Sequence, residues 1–323
     1  MISIITPTYN SVNFIKRLHN SLIKQSDKDF EWIVVDDYSN DDTIKILSNL
    51  NSPGQGGMRI YQMPFNSGGG IAASVGVMKS TGSITTVIDQ DDELSPDAVL
   101  TIKNYFINVF EKKEVAVVLF PSLETKKGES ISSLKKGELF KITYFVYKEK
   151  DSVDGVMAMK GDIARYYYSL PDCARTLLSS VIWLKVSQKY FFEFAGGKPI
   201  LIYHKDNIQS HSNSVRVSSH LIFSFARILD SHDKYYYMQP VKWLRYTLAL
   251  FHFSISYYGS PIPVFGLISR FSTKLWCGLI MPFGIIAHYF KPNYKVVDYK
   301  NMDPKVCAKI IQEVQNTHYN SNK

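Results

Sequence analysis

The stretch TVIDQDDEL, Thr86 to Leu94, sets four acids in five positions directly after an apolar run, in a chain whose net charge is +8. Carboxylates this close disfavour one another's ionisation, so something must offset the repulsion. A divalent cation would, and hard cations such as Mg2+ or Mn2+ prefer oxygen ligands. Asp91 and Asp92 are the expected ligands. Asp89 and Asp91 alternate on a strand-like backbone, and Asp92 follows at the turn. Glu93 reads as an acid placed near the start of the next helix, where it suits the N-terminal dipole.

Residues like these need a scaffold, and the first 120 positions supply one by alternating strand and helix patterns. Short apolar strands are expected at Ile2–Thr6, Glu31–Asp36, Arg59–Met63, Thr85–Asp89 and Val115–Phe120. Helices fall between them, with Ser11, Asp41 or Asp42, and Ser95 as expected N-caps and Pro96 in a first turn. This rhythm implies an α/β fold, a mostly parallel Rossmann-like sheet with helices on both faces. Ligands bind such sheets beyond the carboxyl ends of the strands. The polar clusters fall there: Thr6-Pro7-Thr8-Tyr9-Asn10, Asp36-Asp37-Tyr38-Ser39, Asn66-Ser67-Gly68-Gly69-Gly70, and the acidic run with Gln90. Four consecutive strand ends therefore converge on one crevice.

Residues 2–100 resemble the inverting glycosyltransferases of family 2, which have a GT-A fold. The stretches that carry the resemblance are ITPTYN, EWIVVDDYSNDDT and NSGGGIAASVGVMKSTGSITTVIDQDDEL. It implies a nucleotide-sugar donor, UDP-linked, at the matching strand ends. Asp37 would meet the base, and Thr6, Pro7, Thr8 and Tyr9 would line the nucleoside pocket. Asn66, Gly69, Asp89, Gln90 and Asp91 would complete the donor site. Asp91 and Asp92 would hold the cation that bridges the diphosphate, with His211, in HSNS, closing the metal shell. Gly69, Ile71 and Ser74 stand where family members often carry Lys, Arg or Asn.

The second half is expected to hold the acceptor side. Extended segments are read at Asp151–Lys160, Phe191–Phe194 and Pro199–His204, and a helix at Thr176–Lys189. The segment LLSSVIWLKVSQKY resembles a family helix bearing a general base four residues before its tryptophan, but Ser179 occupies that place here. A serine cannot serve as that base. Asp172 and Asp154 are the two substitutes. His204 reads as structural or exposed.

Three well-separated cysteines argue against a disulfide framework and for a reducing compartment. From Val241 to Lys323, ten Lys and Arg stand against three Asp and Glu, and Tyr246–Ser269 contains no charged residue. Pro261 and Pro263 break that run, and Trp243, Tyr246, Trp276 and Tyr289 are residues suited to a membrane–water interface. The expectation is a transferase domain over 1–220 and a helical, aromatic and basic region over 221–323 that lies on an anionic membrane surface. Binding of nucleic acid is not expected. The whole reads as a metal-dependent transferase, cytoplasmic and peripheral on the inner face of the plasma membrane. Its acceptor would be a saccharide or a polyprenyl-diphosphate-linked saccharide used in surface-polysaccharide synthesis. A nucleotidyltransferase would want a basic glycine-rich loop after the first strand, which ITPTYNSVNF lacks. A non-catalytic nucleotide-sugar-binding partner subunit is the alternative that Ser179 raises.

Overall fold

The first strands are Ile2–Thr8 (β1) and Phe30–Asp36 (β2), both largely buried, then the half-exposed Met58–Gln62 (β3) and the short Ile84–Val87 (β4). In the computed structural model these lie parallel in the order β3-β2-β1-β4. The structure describes residues 1–124, 128–129, 134–141, 155–169, 180–204, 216–217, 222, 225–226, 229–230, 240–289 and 295–296.

Successive side chains of a strand point to opposite faces, and the core divides accordingly. Ile5, Ile33 and Val35 pack on one face against Gly69–Met78 (α3). Ile4, Trp32 and Val34 pack on the other against Ile15–Ile23 (α1) and Ala98–Glu111 (α4). Between α1 and α3 in sequence lies the short helix Thr43–Ser48 (α2). The small residues of α3 let it sit close to β1. A Cβ built on Gly76 would lie 2.4 Å from the Ile5 side chain.

Beyond β4 the sheet is mixed, not mostly parallel. Glu93–Leu94 (β5), Val115–Glu124 (β6), Gly128–Glu129 (β7), Leu139–Phe140 (β8) and Gly155–Lys160 (β9) come next. Then follow the helices Gly161–Tyr168 (α5) and Ser180–Lys189 (α6), and the strands Phe191–Phe194 (β10) and Leu201–Tyr203 (β11). β9 inserts between β4 and β6 and runs antiparallel to both. β10 is parallel to β6. An apolar run reveals a strand but not its direction, so this reversal had no sequence signature. β10 spans the expected residues, β9, β11 and helix α6 fall inside their expected segments, and residues 151–154 lie outside the described residues.

Two of the expected helix starts need correction, while Asp42 does stand at the N-cap of α2. α1 begins at Ile15, after a turn in which the Ser11 carbonyl accepts the N–H groups of Phe14 and Ile15. The Ser11 hydroxyl turns instead to Thr8 Oγ1. α4 begins at Ala98, whose N–H reaches the Ser95 carbonyl, while the Ser95 N–H is taken by Ile200.

The C-terminal residues form Pro240–Tyr258 (α7), Pro263–Leu267 (α8) and Phe271–Tyr289 (α9). Pro261 and Pro263 fall at the break between α7 and α8, where a missing N–H does least harm. These helices share a core of Trp243, Leu250, Phe251, Val264, Ile268 and Cys277. Trp243 is fully buried and so is no interfacial anchor. No helix among the described residues is long and apolar enough to cross a membrane.

Candidate active site

At the carboxyl end of β1 the chain is tied to its neighbours on both sides. The Asp37 N–H donates to the Thr8 carbonyl at 2.8 Å, linking the ends of β1 and β2. Gln90, just beyond β4, reaches back to β1. Its Oε1 accepts from Thr8 Oγ1 and from the Tyr9 N–H, both at 2.8 Å, and its Nε2 donates to the Tyr9 carbonyl at 3.3 Å. An amide offers both donors and an acceptor, so one glutamine can hold a backbone peptide at two points. Gln90 thus locks the acidic turn to the first strand end.

The acidic run is a tight turn and not a continuation of the strand, since β4 ends at Val87 and the Asp92 N–H closes on the Asp89 carbonyl at 3.2 Å. Asp92 points inward and is 4% exposed. Burial, and then the charges of Asp89 and Asp91, push its carboxyl up to about 8, against the pull of the His204 backbone N–H and Arg17. Its Oδ1 is buried without a hydrogen-bond partner among the described residues. Asp89 is held in the same crevice with its side chain open to water. The surrounding protein and the Asp91 charge still raise its carboxyl, to about 6.

Two residues outside the expected set shape this turn. Arg17, on α1, donates through Nη2 to the Asp91 carbonyl. His204 arrives because β11 pairs antiparallel with β5, matching Leu201 to Leu94 and Ile202 to Glu93. Its Nε2 lies 2.6 Å from Glu93 Oε2, and its backbone N–H donates to Asp92. Glu93 is therefore a strand residue paired with a histidine, and it does not open α4. Nothing local in the sequence marks either Arg17 or His204; only the pairing of β5 with β11 brings the histidine across.

Asp37 is buried and accepts the Ser67 N–H at 2.5 Å and the Gly68 N–H at 2.6 Å. Asn66 Nδ2 donates to the Asp37 carbonyl at 3.0 Å. The second strand end thus grips the loop that opens α3. That loop needs a glycine at 68, where φ is 95°, a conformation that a Cβ resists. Gly69 follows as the first residue of α3, exposed, with open space where a Cβ would stand. Asp36 accepts from the Ser39 N–H and hydroxyl, closing the turn after β2. Within that turn Tyr38, and across from it Asn10, adopt positive φ of 64° and 49°. Left-handed backbone at a non-glycine residue costs energy and gathers at functional sites.

The structure thus assembles Thr8, Tyr9, Asp37, Asn66, Gly69, Asp89, Gln90, Asp91 and Asp92 along one sheet edge. Pro7 lies half-buried within β1. Thr6 is fully buried, and its hydroxyl accepts from Trp32 Nε1 at 3.0 Å, so its side chain serves the core. Asp154, Asp172, Ser179 and His211 lie outside the described residues.

Does a cation fit here? The donors are carboxylate oxygens, as a hard ion requires, and Asp92 offers a buried oxygen without a hydrogen-bond partner among the described residues. No group of three or more acidic, His or Cys side chains among the described residues makes a complete cage. Mg2+ sites that use one or two carboxylates and take further oxygens from substrate phosphates have this character.

A mixed α/β sheet with a polar crevice at four strand ends and an aspartate turn within it defines the class of α/β folds that bind ligands beyond their strand ends. Residues 3–156 match the model of the family described as Glycosyl transferase family 2. That segment, just under half of the chain, matches a family 2 glycosyltransferase domain, and the chain is a glycosyltransferase. It is 26% identical over 196 residues to an uncharacterized glycosyltransferase of Haemophilus influenzae, covering 57% of this chain and 75% of that one. It is 35% identical over 100 residues to the poly(ribitol-phosphate) beta-N-acetylglucosaminyltransferase TarS of Staphylococcus aureus, covering 30% of this chain and 17% of TarS. The chain thus spans about a sixth of TarS in sequence. The structure of TarS 1-349 in complex with UDP-GlcNAc superposes with a TM-score of 0.56 at 15% identity, covering 88% of each chain. The mannosyltransferase PcManGT of Pyrobaculum calidifontis, in complex with GDP-Man and Mn2+, gives 0.50 at 13% identity, covering 90% of this chain and 87% of that one. At these identities the two structures speak for the fold alone.

Proposed function

We propose that the chain transfers one sugar, with inversion, from a UDP-linked donor to a saccharide or lipid-linked acceptor in surface-polysaccharide synthesis. One observation carries the reading: the buried Asp92 oxygen, beside two further carboxylates at the crossing of four strand ends, is built for a cation and a diphosphate. TarS acts on poly(ribitol-phosphate) and has been seen with UDP-GlcNAc, and PcManGT with GDP-Man and Mn2+, which supports a nucleotide-sugar and a divalent ion here.

Asp91 and Asp92 would hold Mg2+ or Mn2+, which when bound neutralises charge on the departing diphosphate. The chain's own residues do the rest. Gln90 and Arg17 fix the turn, so the carboxylates are positioned before the donor arrives. Asp37 would meet the base, and the N–H groups of Ser67 and Gly68 hold its carboxylate in place. Asp172 or Asp154 takes the proton from the acceptor hydroxyl. The test is release of UDP from a panel of UDP-sugars with Mn2+ present. Metal-dependent turnover in the wild type, lost in Asp92→Ala, is expected. Donor binding with no turnover across a broad acceptor panel would make the chain a binding subunit instead.

A further inference from the structure

α9 has two unlike faces. Thr273, Cys277 and Gly284 are buried on one side, toward α7. A Cβ on Gly284 would stand 2.8 Å from the Phe251 side chain, and Trp276 Nε1 donates to Thr247 Oγ1 at 3.0 Å, so the two helices are in close contact. On the other side Phe271, Leu275, Leu279, Phe283, Ile286 and Tyr289 recur at intervals of three and four. They are 74, 56, 71, 61, 57 and 81% exposed. Gly278 and Pro282, also exposed, lie in the same stripe. An aligned row of six large apolar side chains along 19 residues exceeds the scattered exposure normal for a folded surface.

What covers this row is decided by charge and length. From Pro240 to Tyr289 there are four cations, Lys242, Arg245, Arg270 and Lys274, and no Asp or Glu. Arg245 and Arg270 are exposed, and Arg270 immediately precedes the stripe. A second copy laid on the stripe would bring the cations of these helices toward one another, since the nearby Asp230 is buried and accepts the N–H groups of Ser269 and Arg270. An anionic lipid surface offers phosphates to the cations and acyl chains to the apolar row. The helix is about 28 Å long at 1.5 Å per residue, yet it is not apolar enough to span. A helix with one apolar face and a cationic setting lies in the interface plane instead.

We propose that α9 is a membrane-docking helix. Its Phe271-to-Tyr289 stripe enters the headgroup region of an anionic bilayer, and Arg245, Arg270 and Lys274 meet the phosphates. This holds whether or not the transfer reading is right, because it stands on the helix alone.

The experiment is co-sedimentation of the full chain with phosphatidylglycerol/phosphatidylcholine vesicles, against phosphatidylcholine alone. Wild type should partition to the anionic vesicles. Leu279→Glu with Phe283→Glu should weaken that partition about tenfold or more, since each side chain gives up its burial in lipid. Arg270→Glu with Lys274→Glu should weaken it on anionic vesicles, with loss growing as salt falls. All four positions lie outside the buried helix–helix seam, so thermal unfolding should match wild type; Leu279→Ser with Phe283→Ser provides a gentler version. Wild-type partition by these variants, or no partition by the wild type, overturns the proposal. So does a dimer in light scattering that the same substitutions split in the absence of vesicle binding, which would assign the stripe to a second copy. Loss of fold in the serine variant without vesicle binding by the wild type would assign it to the chain's own tail, and equally overturns it.

Discussion

At the scale of single residues, Asp92 carries opposing demands. Its carboxyl, raised toward 8 by burial and by Asp89 and Asp91, is protonated in the folded state over a range where the unfolded chain is already ionised. The folded state then binds more protons than the unfolded one between about pH 4 and about pH 8, so stability falls as pH rises through that window. Asp92→Asn removes this penalty. In metal-free protein the variant should melt higher than wild type at pH 8, by roughly 1–3 kcal/mol of stability, with the gap closing toward pH 4. Added Mn2+ should raise the wild-type Tm and leave the variant unmoved. Arg17 acts through the turn it pins. Arg17→Ala should raise the donor KM by about tenfold, the worth of a charge-assisted bond of roughly 1.5 kcal/mol, with a smaller change in kcat. Steady-state kinetics over a donor series reads both. The aspartate turn was legible as a polar strand end because its acids follow directly on an apolar strand. Arg17 and His204 were not, because a lone basic residue on a helix and a histidine after a strand look the same whether or not the fold brings them to a site.

At the scale of elements, the sheet is held at its far end by a buried acid. Glu31, on β2, accepts from Ser3 and from the N–H and hydroxyl of Thr81, and pairs with Arg59 on β3. Burial pushes its carboxyl up, but the hydrogen bonds from Ser3 and Thr81 and the Arg59 charge outweigh that and hold it below its ordinary value. A depressed carboxyl stabilises the fold above its unfolded value of about 4.3 and loses that contribution as pH falls through the folded value. Glu31→Gln should cost roughly 1–3 kcal/mol at pH 7, and the difference from wild type should shrink in urea melts below about pH 4. Packing of α3 gives a second check. Gly76→Val would drive a side chain into Ile5, and overpacking of this kind costs roughly 1–3 kcal/mol. The elements themselves were readable from period: β9, β10, β11 and α6 fall where apolar alternation and helical spacing put them. Their ends and directions were not. Ser11 and Ser95 look like caps, yet the Ser11 hydroxyl turns back to Thr8 and the Ser95 N–H goes to Ile200, and β9 runs backwards for reasons that lie in the chain's path.

At the scale of the whole molecule, the crevice and the proposed docking helix occupy different parts of the chain. Four strand ends build the crevice within residues 1–100, and the cation-only helices of 240–289 offer an apolar face of their own. Composition showed this division as an excess of positive charge in the last quarter. It did not show that Trp243 would be core while Tyr289 stays exposed, because an aromatic residue suits a buried seam and a lipid interface equally well. The account rests on the aspartate turn as the place where cation and diphosphate meet. Calorimetric titration of the full chain with UDP-sugars, with Mn2+ and then with chelator, tests it most directly. Affinity that falls sharply in chelator, and that is already lost in Asp92→Asn with Mn2+ present, is the predicted result. Equal affinity with and without chelator, unchanged by the substitution, would contradict it.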